Sequence, residues 1–231
     1  YDFDNPLVDP ERLVDLELGA SLRSEDYRVS ANIFVMDFRD EIVPSGGLDQ
    51  FGVPRTGNAE RTRHLGLELD GDIQLSYGLE LAGNVTLSRN RFIDFDEFVF
   101  LPDFSTAQAD RSGNVIAGFP ERSGNVRVNY RRGNWFASIM TSFVGKQYID
   151  NGEGKDATGA DDDNLVLESY ALVDGSVAYT MGSQRQLRLS LDVNNIFDDK
   201  VLTYGNVSVV GPQFFPAATR HLNMSLKYTF R

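Results

Sequence analysis

Hydrophobic residues recur at every second position along most of the chain. Between Arg12 and Arg23 the even positions read Val14, Leu16, Leu18, Ala20 and Leu22, set against Asp15, Glu17, Gly19 and Ser21. The same alternation places Tyr27, Val29, Ala31, Ile33 and Val35 against Arg28, Ser30 and Asn32. It returns from Leu65 to Tyr77 and from Leu79 to Leu87, and again from Val126 to Tyr130 and Trp135 to Phe143. The last three stretches run from Val173 to Tyr179, Leu187 to Val193 and Leu222 to Phe230. A period of two marks strands with one apolar and one polar face. Nine strands are predicted, and no helical stripe competes with them. Many run to about 9–14 residues, longer than the usual soluble strand of about 5–6 and enough for the about 9–11 that a tilted membrane-crossing strand needs.

The connections alternate in length. Short turns fall at Ser24-Glu25-Asp26, near Gly78, at Arg131-Arg132-Gly133 and at Met181-Gly182-Ser183. Long polar loops are expected at about 39–62, 93–121, 149–168 and 198–219. Short turns on one side and long loops on the other is the pattern of an outer-membrane barrel.

Charge and aromatic placement test this expectation. The apolar parity of all nine strands is free of Asp, Glu, Lys and Arg, whereas the opposite parity carries Glu17, Arg28, Glu68, Asp70, Asp72, Arg127, Asp192 and others. A soluble sheet with one wet face would also alternate, so the aromatics are more discriminating. Tyr27, Tyr77, Tyr130, Trp135, Tyr179 and Tyr228 all lie on the apolar parity beside a short turn or the last strand end. Tyr and Trp prefer the membrane interface because the ring is apolar and its polar tip reaches water. These six residues form a predicted interfacial girdle. The fold class predicted is therefore all-β, an antiparallel transmembrane β-barrel in contact with outer-membrane lipid.

Composition adds exclusions. A net charge of −12 argues against nucleic acid as a partner. With no Cys there is no disulfide framework or Cys-ligated metal. The longest unbroken apolar run, Ile33 to Met36, is far short of a membrane-spanning helix. The acidic start, Tyr1-Asp2-Phe3-Asp4, shows no signal peptide. Bacterial single-chain barrels have even strand numbers. With the last strand ending on the short-turn side, a ninth strand counted back begins on the long-loop side. Residues 1–231 are thus expected to be the C-terminal portion of a larger barrel.

Several segments in order resemble the TonB-dependent outer-membrane receptors. They are Pro10-Glu11-Arg12 leading into Leu16-Glu17-Leu18-Gly19, Tyr27 to Phe34 with Asp37-Phe38-Arg39-Asp40, and Gly57-Asn58-Ala59 before Gly66-Leu67-Glu68-Leu69. Then follow Phe143-Val144-Gly145-Lys146, Tyr170-Ala171-Leu172-Val173-Asp174, Val193-Asn194-Asn195-Ile196-Phe197-Asp198 and a closing strand from Arg220 to Phe230. The resemblance implies a plugged barrel of about 22 strands, of which these are the last nine. The plug domain and its TonB-binding segment would lie outside this chain. It further implies an active transport receptor in the outer membrane of a Gram-negative bacterium. Such a receptor binds a scarce solute, an iron-siderophore complex first of all, at the cell surface and imports it with TonB-derived energy. Leu226, Tyr228 and Phe230 match the family's assembly signal for the barrel assembly machinery, although Arg231 follows the terminal aromatic. A passive porin or a surface-binding barrel without TonB coupling is the alternative.

No catalytic constellation is present, so an enzyme is not expected, and no cofactor or metal site is predicted. His64 and His221 fall on the polar parity near strand ends and read as lumen lining rather than a metal pair. Asp150-Asn151-Gly152-Glu153 and the cluster Asp161, Asp162 and Asp163 share one long loop. Oxygen ligands of this kind suit a hard cation, but the spacing is not that of a calcium loop and a solvated acidic loop accounts for it. The run from Phe92 to Leu101 holds Phe95, Phe98 and Phe100 on the extracellular side. Its aromatics either grip a bulky ligand or form an upper girdle with a projecting hairpin.

Overall fold

The computed structural model describes residues 6, 8–48, 54–100, 105–156, 158–182, 186–208 and 211–230. The strands are β1 (Arg12–Arg23), β2 (Tyr27–Leu48), β3 (Pro54–Gln74), β4 (Leu79–Asp94), β5 (Asp96–Phe100), β6 (Thr106–Asp110), β7 (Arg122–Arg132), β8 (Trp135–Val144), β9 (Gln147–Tyr148), β10 (Val166–Leu167), β11 (Tyr170–Met181), β12 (Leu187–Asn194), β13 (Leu202–Ser208), β14 (Gly211–Pro216) and β15 (His221–Tyr228). Nine of them make one sheet in the order β1-β2-β3-β4-β7-β8-β11-β12-β15. Every neighbouring pair is antiparallel. The remaining six form three hairpins, β5/β6, β9/β10 and β13/β14, one in each long connection after β4.

The register keeps the apolar parity continuous from strand to strand. Tyr27 pairs with Ile73, which faces Leu81, then Val128, Ile139, Gly175, Val193 and Leu222. Leu18, Ile33 and Leu67 form a second such row. Most of this face is exposed, to 75% at Leu18 and 76% at Met224. The opposite face carries cross-strand polar pairs. Arg28 Nε donates to Asp72 at 2.9 Å, the Ser30 hydroxyl donates to Asp70 at 2.7 Å, and Asn32 Nδ2 donates to Glu17 at 3.1 Å. A depression on this face is lined by Ser30, Asn32, Glu68, Asp70, Asn84 and Thr86.

The girdle residues sit on one descending staircase. Tyr27 lies level with Leu81, Tyr130 one outward pair closer to the turns, Trp135 and Tyr179 one further, and Tyr228 a third. Three pair-steps amount to roughly 20 Å along the strands, at about 3.3 Å per residue, and the seven strand spacings to roughly 34 Å. A tilt of about 30° therefore brings the aromatics to one level, close to the tilt of about 35–45° usual in membrane barrels. Trp135 and Tyr179, directly paired, have ring centroids 4.7 Å apart. Tyr77 occupies the β3–β4 turn at φ 65°, 84% exposed.

One loop expectation needs correction. The segment 39–62 is not a loop: β2 and β3 continue as a paired ladder to Leu48 and Pro54, leaving 49–53 outside the described residues. Periodicity failed there because the outward positions above Val35 and Leu65 change to Asp37, Arg39, Arg61 and Arg63. The alternation records where a strand faces lipid, whereas the ladder of backbone hydrogen bonds persists beyond that zone. The long connections at 93–121, 149–168 and 198–219 likewise contain the three hairpins rather than irregular chain. The short turn at Met181-Gly182-Ser183 is seen through Gly182, at φ 92°, with Ser183 outside the described residues.

Candidate functional site

A single sheet with one apolar and one polar face has no interior of its own, so the chain's core forms above it. Among the described residues, every buried hydrophobic except Ala178 lies at the long-connection end. Val43, Ala59, Phe92, Phe95 and Ile116 form one cluster. Ile149, Leu165 and Leu167 form another, with Val207 and Phe214 packed against it. The second cluster ties the connection after β8 to the β13/β14 hairpin. The long connections thus build a folded layer over one end of the strands.

Asn151 is the polar pin of this layer and is fully buried. Its Nδ2 donates to the Pro44 carbonyl at 2.8 Å and to Glu97 Oε1 at 2.9 Å. Its Oδ1 accepts from the Ala117 amide at 3.2 Å, and its carbonyl accepts from Asn114 Nδ2 at 2.8 Å. One side chain and its own carbonyl therefore bridge the top of β2, the β5 hairpin and the connection leading to β7. Glu97 also accepts from Arg111 Nε at 2.7 Å, with both side chains nearly buried. Asp150 sits beside this pair, and its carboxyl is pushed up to about 6 by burial and by the charge of Glu97, against the pull of Arg111. Its Oδ1 is buried with no hydrogen-bond partner. A carboxylate held this way gains stability when protonated.

His64 lies below the pin, one position past Leu65, and is buried rather than lining an open lumen. Its Nδ1 meets Asn90 Oδ1 at 2.9 Å and its Nε2 meets Glu41 Oε2 at 3.2 Å. Asn90 Nδ2 already donates to the Ser88 hydroxyl, so its oxygen accepts from His64. Both imidazole nitrogens then need protons, which the imidazolium supplies. Burial pulls the His64 pKa down, but the hydrogen bond and charge of Glu41, with Asn90, outweigh it and the net shift is upward. Thr62 also donates to Glu41. Phe38 and Phe119 pack edge-on against the imidazole, with centroids 5.3 and 5.1 Å away. His221 is distant from this group and contacts the Thr219 carbonyl.

The other predicted residues divide by exposure. Phe95 is a core residue, stacked on Phe92 at 4.5 Å. Phe98 is 51% exposed, and the side chain of Phe100 lies outside the described residues. Among the described side chains Phe92 and Phe95 are therefore core while Phe98 faces outward to solvent. Asp161 and Asp163 are exposed, while Asp162 accepts from the backbone and side-chain nitrogens of Asn164 at 2.9 and 2.8 Å and so serves a turn. Among the described residues no cluster of three or more His, Asp or Glu side chains could hold a metal ion. The acidic run Asp150 to Glu153 is structural: Asn151 pins the layer, Asp150 is buried beside it, and Glu153 accepts from the Val115 amide at 2.7 Å and from Arg91 at 3.1 Å. Asn151 between the two acids Asp150 and Glu153 was the available signal. Glu97, Arg111 and Glu41 carried none, because their partners are far away in the sequence.

Comparison with known proteins agrees with this architecture. Residues 1–196 match the family model described as TonB dependent receptor-like, beta-barrel. The chain is 23% identical over 199 residues to the pesticin receptor of Yersinia enterocolitica, covering 84% of this chain and 26% of that protein. It therefore spans about a quarter of the length of the curated relatives it matches. Its fold superimposes on the ferric yersiniabactin uptake receptor FyuA from Yersinia pestis with a TM-score of 0.71 at 20% identity, over 96% of this chain and 30% of that one. The unliganded ferric citrate transporter FecA gives 0.74 at 21% identity over 96% and 32%, and the copper transporter OprC gives 0.72 at 17% identity over 99% and 32%. The exposed apolar face, the aromatic staircase and the one-sided loop layer are the parts of a receptor barrel of the Gram-negative outer membrane, and the chain belongs to the TonB-dependent receptor β-barrel family.

Proposed function

We propose that this chain is the C-terminal portion of the barrel of an active transport receptor. In this reading it captures a scarce solute, most readily a ferric siderophore, at the cell surface and imports it with energy delivered through TonB. One observation carries the reading: a folded loop layer with its own core is built at one end only of a sheet whose outward face is apolar. A passive pore needs no such layer. The unpaired outer edges of β1 and β15 support membership in a larger barrel, because sheet edges in a membrane must be closed. The ligand surface is proposed to include Phe98, Asp161 and Asp163, the exposed members of the loops, with Phe95 and Asp162 supporting them from within. Phe100 belongs to the same proposed hairpin surface.

The test uses the full-length receptor in its host under iron limitation, with radiolabelled ferric siderophore. Uptake should vanish in a strain lacking TonB while surface binding persists. Phe98→Ala together with Asp161→Asn and Asp163→Asn should weaken binding with surface expression unchanged. Uptake that survives loss of TonB would point instead to a passive barrel. Unchanged binding in the loop variants would remove these residues from the ligand surface.

A further inference from the structure

Asn151 and Gly152 form the one Asn-Gly pair in the sequence, and the loop layer closes around it. Asparagine is chemically labile, most of all before glycine, because a residue without a side chain lets its amide reach the preceding Cγ. The fold nonetheless demands both residues. A Cβ at position 152 would lie 2.6 Å from the Lys155 carbonyl oxygen and 2.9 Å from Asp150 Oδ2. Position 151 must both donate and accept: its Nδ2 serves two acceptors, the Pro44 carbonyl and Glu97 Oε1, while its Oδ1 takes the Ala117 amide. An aspartate has no donor to offer the first two.

The closed layer withholds the parts this reaction needs. Asn151 is fully buried, and Gly152 is buried with it. The Gly152 amide, the nucleophile, is hydrogen-bonded to the Asp150 carboxylate. The Asn151 side chain is tied at both ends to other segments. The Ala117 amide polarises the Asn151 side-chain carbonyl, so what the fold denies is the nucleophile and its approach. Attack therefore waits on local opening of the layer. In the open layer Gly152 N bonds to Asn151 Cγ, Nδ2 leaves with the amide proton as ammonia, and a succinimide forms. Water then opens the ring at either carbonyl, giving aspartate or isoaspartate. The product carries a carboxylate where an amide donated. It would face the Pro44 carbonyl and Glu97 acceptor against acceptor, where the charge of Glu97 already opposes that of Asp150. A buried charge without a partner is strongly disfavoured, so the converted layer does not reclose.

We propose that Asn151–Gly152 is a self-modification site gated by the loop layer: conversion is blocked while the layer is closed, proceeds when it opens, and then holds it open. The layer thereby records, irreversibly, the time it spends open. The inference rests on the loop layer and not on what the receptor imports. The experiment incubates the full-length receptor at mildly alkaline pH, either folded in neutral detergent or unfolded in urea. Mass spectrometry of the tryptic peptide 147–155 reads the gain of one mass unit and the isoaspartate isomer. Conversion in the folded receptor should be at least about 30-fold slower than in the unfolded chain, taking the four hydrogen bonds of Asn151 at the low end of their net strength. Arg111→Gln breaks the ion pair with Glu97, and it should speed conversion of the folded receptor several-fold while leaving the unfolded rate unchanged. Converted wild-type molecules, separated by ion exchange, should lose hydrogen-exchange protection at the amides of Ala117, Gly118 and Ile149. Asn151→Asp should reproduce that loss, and the converted wild type tests it even if the variant misfolds. Equal rates in the folded and unfolded receptor, an unchanged folded rate in R111Q, or wild-type protection in converted molecules would each overturn the proposal.

Discussion

Asp150→Asn isolates the electrostatic cost stored in the loop layer. The side chains are nearly isosteric, so packing against Asn151 and Gly152 is retained. The folded carboxyl titrates near 6 against an ordinary 3.8. Each pKa unit corresponds to about 1.4 kcal/mol, so the charged form costs the folded layer about 3 kcal/mol. The direction follows from linkage: a raised folded pKa on an acid means the folded state holds its proton longer than the unfolded state. Stability contributed by the protonated carboxyl is complete below about pH 4 and is lost as the pH climbs through about 6. Above that pH, Asp150→Asn should therefore stabilise the layer by up to about 3 kcal/mol, and at pH 4 the two proteins should match. Global unfolding of a membrane barrel would not register this. The assay is hydrogen exchange of the amides of Ala117, Gly118 and Ile149, whose hydrogen bonds close the layer, in the full-length receptor between pH 5 and 8. Wild-type protection, corrected for intrinsic exchange, should fall across this range by about one order of magnitude relative to the variant, the rest of the loss lying between pH 4 and 5. Equal pH dependence in both proteins would refute the assignment of the cost to Asp150.

The opposite pH behaviour is expected at His64. A histidine with a raised folded pKa contributes stability that is complete below about 6.5 and is lost as pH rises through the folded value. His64→Gln should abolish that component, measured as the pH dependence of exchange at the Asn90–Ile116 backbone bond. Ile139→Arg puts a charge in the middle of the apolar face of β8 and should cost roughly 2–4 kcal/mol in refolding into bilayers. Ser138→Arg, on the other face of the same strand, should be nearly neutral there. Gly78→Ala should impair assembly, because the backbone has φ 82° and a Cβ would lie 1.9 Å from the Arg131 carbonyl oxygen. Folded yield in heat-modifiability gels checks this, and wild-type yield would contradict the turn geometry.

The nine strands, their antiparallel order and their alternation of an apolar with a polar face were legible from the amino-acid sequence, because a sheet with two different faces imposes a strict alternation that local reading detects. Arg12–Arg23 was located to the residue. The same dependence explains where reading stopped. Past Val35 and Leu65 no lipid constrains the outward side chains, so the paired continuation of β2 and β3 looked like loop. Composition also misassigned Phe95, since a Phe-rich hairpin has the same sequence whether its rings face ligand or each other. Tertiary structure alone decided that Phe92 and Phe95 are core while Phe98 is exposed, that Asn151 joins three segments, and that His64 meets Glu41. Those contacts join residues up to 107 positions apart, and no periodic environment ties such partners together. Periodicity reports the bilayer around the strands; the packing of the loops on one another is specified only once the strands have set their roots side by side.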